Sequence, residues 1–105
     1  SNITNNVNTG TPIIKLSQLV VVPEYGNVSF TANYKTQVFS DGQYLGDTPL
    51  TKKVIAKKNK FNFLRAGYAP QEVELKVLAN TDNNINVTLL NWAEYFYSQS
   101  TAEKT

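Results

Sequence analysis

The side chains that could act on another molecule fall into three sets. Carboxylates stand at Asp41, Asp47, Glu72, Glu74 and Asp82; lysines gather at Lys52, Lys53, Lys57, Lys58 and Lys60; aromatic rings occur at Tyr25, Tyr34, Tyr44, Tyr68, Trp92, Tyr95 and Phe96. Cysteine, histidine and methionine are absent from all 105 residues, which removes thiol chemistry, imidazole acid–base catalysis and the usual soft-metal ligands. Catalysis would have to rest on carboxylates, and a glycosidase needs two of them across a cleft. Glu72 and Glu74 instead alternate with apolar residues, as solvent-facing strand positions do, while Asp41 and Asp47 sit at turns where such side chains bond nearby backbone amides. Asp82-Asn83-Asn84 has oxygen donors of the calcium-binding type without an EF-hand loop around them. The expectation is therefore a protein with no catalytic residue, no metal site and no cofactor.

The lysine group has two readings. If the strands on either side of it pair, the amines Lys52, Lys53, Lys57, Lys58 and Lys60 converge near one end of a sheet and can contact an acidic polymer or an anionic envelope surface. Alternatively they are solvated residues guarding an exposed sheet edge. The formal charge of only +2 and the lack of an arginine-rich element favour the second reading and make a nucleic-acid partner the weakest of the options. Among the aromatics, Tyr44 is the exposed-contact candidate and Tyr68 the core candidate. Rings on turns can stack on sugars or anchor a protein interface, and can equally cap a small core. The triplets beginning at Asn2, Asn27 and Asn86 match glycosylation acceptors, as chance alone would produce in a chain rich in Asn and Thr.

These residues need a scaffold, and apolar alternation supplies one. Val28, Phe30 and Ala32 alternate with polar residues; so do Val73, Leu75 and Val77, and again Ile85, Val87 and Leu89. Phe61 and Phe63 share one side of a strand that has apolar residues on both faces, which suits a sheet interior. Glu24-Tyr25-Gly26-Asn27 and Asn33-Tyr34-Lys35 read as turns, and residues 80–84 read as a loop joining two strands that would form an antiparallel hairpin. Asp41-Gly42 is a strong hairpin-turn signal, and Thr48-Pro49 restrains the chain again soon after.

At the far end, Trp92, Tyr95 and Phe96 have i, i+3, i+4 spacing and share a face if Asn91 caps a short helix. That face must cover this domain or a partner, the first being favoured because a small sandwich gains from another capping element. Apolar content ceases from Ser98, where fraying is expected. The fold class is all-β, a small antiparallel β-sandwich or partly open barrel of six or seven strands with a short C-terminal helix. Residues 1–11 form a polar flexible arm, 12–26 an additional N-terminal strand region, 27–90 the sandwich core, and 91–105 the aromatic helix and frayed tail. No run reaches the roughly 18 apolar residues of a membrane-spanning helix, and no basic segment precedes an apolar signal stretch, so the chain reads as a soluble fragment or a processed product.

The string Val38-Phe39-Ser40-Asp41-Gly42-Gln43-Tyr44-Leu45-Gly46-Asp47-Thr48-Pro49-Leu50, followed by Arg65-Ala66-Gly67-Tyr68-Ala69-Pro70, resembles the PEGA family of small β-sandwich modules. A valine-bearing strand enters an Asp-Gly turn, a Gly-x-Thr-Pro element follows, and a Gly-Tyr-x-Pro element comes about a strand pair later. The Pro-x-Gly-Ala turn that names the family is replaced before Val38 by Asn33-Tyr34-Lys35-Thr36-Gln37. The resemblance implies a non-catalytic module of extracytoplasmic, periplasmic or cell-surface proteins, lipoproteins among them. Its partner would be another protein or a larger envelope assembly, with glycan binding as the alternative. It assigns Asp41, Gly42, Gly46, Thr48, Pro49, Gly67, Tyr68 and Pro70 architectural roles, and leaves Tyr44, Trp92, Tyr95 and Phe96 as the residues for partner contact.

Overall fold

The computed structural model describes residues 22–104. Seven strands, β1 (Tyr25–Ala32), β2 (Gln37–Ser40), β3 (Gln43–Asp47), β4 (Leu50–Ile55), β5 (Lys58–Leu64), β6 (Gln71–Lys76) and β7 (Asp82–Val87), precede one helix, α1 (Trp92–Lys104). They form two sheets, one ordered β4-β1-β7 and the other β3-β2-β5-β6, so the all-β architecture is the expected one and stays open at its edges. The arm at 1–11 and most of the strand region placed at 12–26 lie outside the described residues, and 22–24 carry no regular structure.

The core forms where the alternating positions of the two sheets meet. Val28 and Phe30 of β1, Val54 of β4, and Ile85 and Val87 of β7 pack on Val38 of β2 and Phe61 and Phe63 of β5, with Val77 and Leu89 closing the ends. Phe30 meets Phe61 edge-on at 5.0 Å and Phe63 at 6.1 Å between ring centroids. All three rings are fully buried, and burial of each side chain of this size is worth about 1.5–3 kcal/mol. As expected, β5 lies inside its sheet, between β2 and β6.

Three local expectations are overturned. Residues 25–27 open β1 instead of forming a turn, because Gly26 is needed for close approach: a Cβ there would collide with the carbonyl of Leu78. Residues 82–84 begin β7 instead of prolonging a loop. Asn83 occupies a buried strand position because its amide is satisfied there, the Nδ2 donating to the carbonyls of Asn27, Leu78 and Thr81, and the Oδ1 accepting from the amide of Leu78. Finally, β6 and β7 do not form a hairpin. The connection crosses from one sheet to the other, with Asn80 at φ 53°, and β7 runs parallel to β1, Asp82 beside Asn27 and Val87 beside Ala32. Two strands with inward apolar faces can bury them across the core as well as side by side, and here they do the former.

The Asp41-Gly42 turn joins β2 to β3 with Ser40 opposite Gln43 and positive φ at both central residues, 50° and 83°, as a two-residue I′ hairpin requires. Thr48 and Pro49 then carry the chain from β3 to β4 in the opposite sheet. Thr48 is buried because its hydroxyl accepts from the Thr36 amide at 3.1 Å and donates to the Tyr34 carbonyl at 3.2 Å. Asn33 extends the β1–β7 seam past its last pair, its side chain donating to the carbonyl of Leu89 and accepting from the same residue's amide.

Candidate functional site

Helix α1 begins as the sequence suggests. The Asn91 Oδ1 accepts from the Glu94 amide at 2.8 Å, and the Glu94 carboxylate accepts in return from the Asn91 amide at 2.9 Å, a reciprocal cap. A bridge between Tyr68 and Asn91, and an Ala69 amide donating to the Leu90 carbonyl at 2.9 Å, tie this start to the sandwich. Among the described residues no strand packs extensively along the helix. Its span runs past Ser98 to Lys104, through Gln, Ala, Glu and Lys, which are good helix formers.

Trp92, Tyr95 and Phe96 do share a face. Trp92 lies 5.8 Å from both other rings, and Tyr95 and Phe96 are 5.6 Å apart. This face does not cap the domain, the arrangement the sequence favoured: Trp92 remains 45% and Phe96 62% exposed, and Tyr95 is half-buried. The sheets are already filled by strand residues, which leaves the helix no open core to cover.

Tyr44 falls within β3, exposed, with its ring 5.5 Å from Phe39 and its hydroxyl donating to Asp47 at 2.7 Å. That hydrogen bond, then burial and the carboxylate charge, hold the phenol above its ordinary 10.0. The lysines are not assembled into one patch, since β4 and β5 belong to different sheets. Lys53 faces outward on one sheet, 5.9 Å from the Tyr25 ring, whereas Lys58 and Lys60 face outward on the other. Lys58 pairs with Glu74 and Lys60 with Glu72, each at 3.9 Å, and Lys57 lies 4.0 Å from Asp41. Lys52 stands opposite the buried Val28 on edge strand β4, an inward-pointing charge of the kind that discourages strand addition. Among the described residues no three carboxylates gather as metal ligands would, and Asp82 instead accepts from the Asn27 amide group at 3.4 Å.

A cluster not assembled by sequence reasoning lies where α1 leaves the sandwich. Arg65, the chain's single arginine, places its guanidinium carbon 5.2 Å from the Tyr34 ring and 5.1 Å from the Tyr68 ring, which are themselves 5.0 Å apart. Its Nη1 donates to the Lys35 carbonyl at 2.8 Å, while its Nε is enclosed without a hydrogen-bond partner. Hydrogen bonding to Tyr68 raises the Tyr34 phenol above its ordinary value, helped by the Tyr68 and Glu94 charges and by burial, with Arg65 opposing. Arg65 follows Phe61 and Phe63 at the next alternate position, and a lone arginine ending an inward-facing series was the available signal. Gly67, at φ 84°, and the half-buried Tyr68 lie where the chain turns here.

Comparison with protein-family models, with curated proteins and with solved structures found no match to this chain.

Proposed function

We propose that this chain is a non-catalytic interaction or structural-assembly module of the PEGA type, working in an extracytoplasmic, envelope- or surface-associated complex and docking on a protein partner through α1. The observation that supports this reading is the three-ring face of Trp92, Tyr95 and Phe96, fixed at its base by the Asn91 cap and left exposed by its own domain. Large aromatic anchors gain most of their binding value when a partner desolvates them. The short helix adds little stability of its own, so burial against that partner would also order it. A version relying on Lys52, Lys53, Lys57, Lys58 and Lys60 for an acidic polymer has less support, because the amines lie on different faces and three of them already meet carboxylates.

Affinity capture from the native envelope fraction tests the reading, using the wild-type chain beside Trp92→Ala. One protein retained by the wild type and lost with the variant is the expected result. Recovery of no protein, or equal recovery by both chains, overturns it.

A further inference from the structure

We propose that the end of the sandwich around Tyr34, Lys35 and Arg65 binds an acidic saccharide, a uronate ring resting on Tyr34 with its carboxylate between Lys35 and Arg65. Lys35 forms a ridge between two open hollows. The larger, about 490 Å³, is walled by Ala32, Tyr34, Thr48 and Pro49. The smaller, about 300 Å³, is walled by Gln37, Asp47, Leu64 and Arg65. A sugar ring in the first can therefore send a substituent over Lys35 into the second.

The chemistry of the two sides fits such a ligand. Tyr34 is 45% exposed, yet its ring is fixed by contacts with Arg65 and Tyr68, which gives a rigid apolar platform without burying it. Arg65 has two rings beside it and one backbone carbonyl on Nη1, but it is in none of the ion pairs found among the described residues. A guanidinium partly removed from water and lacking a carboxylate favours an anion with a charge-assisted hydrogen bond. Lys35 adds a second cation, and the ion pair it makes among the described residues, with Asp47 at 3.7 Å, is an exposed contact of little energetic value. Two carboxylates bear on the site, Asp47 on Lys35 and Glu94 through its charge at Tyr34, but among the described residues neither is ion-paired with Arg65, whose guanidinium is the group left for a ligand carboxylate.

The same surroundings disfavour an extended peptide. The hollows are built from loops and from the ends of sheet-central strands β1, β2 and β5, with only Asp47 contributed by an edge strand, so strand addition has no ladder to join. A strongly charged polyanion such as nucleic acid would call for far more than the chain's net +2.

Isothermal titration with polygalacturonate, alginate and hyaluronate tests the site, with methyl-esterified polygalacturonate as the uncharged control. Binding to at least one of the acidic polymers is expected, falling with added salt and lost on esterification. Lys35→Gln, at an exposed position where thermal unfolding should find the fold intact, should weaken binding about tenfold or more; Tyr34→Ala should abolish it, and Lys58→Gln should leave it unchanged. No binding to any of the three acidic polymers, equal binding to the ester, or equal weakening by Lys58→Gln and Lys35→Gln would each overturn the proposal. The helix variant Trp92→Ala should bind these polymers normally, which separates this site from the protein-docking face.

Discussion

Phe30, Phe61 and Phe63 in the sandwich and Trp92, Tyr95 and Phe96 on the helix are both aromatic trios, and their rings meet at similar distances: 5.0 and 6.1 Å about Phe30, and 5.6 to 5.8 Å on the helix. Their surroundings are opposite. The phenylalanines are inaccessible to water, whereas Trp92 and Phe96 keep 45% and 62% of their surface exposed. Ring contact by itself therefore says little about what a cluster is for. The first trio has spent its apolar surface on the fold, and the second still has part of it to offer.

The largest expected effect breaks the buried trio. Phe30→Ala should cost about 3–5 kcal/mol, or prevent folding altogether, because it removes the ring both others touch and leaves a cavity. Denaturant unfolding measures it, and a loss near zero would mean that the two sheets close over the gap. Next comes the turn that aligns β2 with β3. Gly42→Val places a β-branched residue at φ 83°, and strain of this kind costs about 1–3 kcal/mol even though the space around Gly42 is open.

For the exposed trio the comparison predicts dissociation of two readouts. Trp92→Ala should lower stability by only about 1 kcal/mol, the value of its ring contacts, while partner capture fails. A loss comparable to that of Phe30→Ala would return the helix face to a structural role. The smallest effect is at Tyr44. Its phenol is raised in the folded chain, so the fold retains a proton that the unfolded chain releases above 10.0, and that stabilising contribution fades as pH rises through this region. Tyr44→Phe should flatten the decline in unfolding midpoint between neutral pH and strongly alkaline solution; Tyr34, raised in the same direction, should preserve part of it.

Period-two alternation in the sequence reports which face of a strand is apolar, and Val28, Phe30, Ile85 and Val87 turned inward as their spacing required. It is silent on which strand lies beside which. That is why the segments around Val73 and Ile85 read as a hairpin although they occupy opposite sheets, a choice settled by β1 and by the loop through Asn80. Composition misled at Gly26 and Asn83. Glycine and asparagine are typical turn residues, yet one is there to let a carbonyl approach and the other to satisfy buried backbone groups. The helix cap was readable because Asn91 and Glu94 are neighbours in sequence as well as in space. The Arg65 cluster was not, since Tyr34 and Tyr68 come together only when strands from both parts of the chain are in place.

The parallel seam between β1 and β7 joins the first and last strands among the described residues, Asn27 beside Asp82 at one end and Ala32 beside Val87 at the other. The polypeptide consequently comes in at one pole and goes out at the opposite one, so that neighbours attached on both sides would lie in series along the strand axis. A pull between them slides β1 along β7, loading the whole ladder of hydrogen bonds at once instead of peeling it bond by bond.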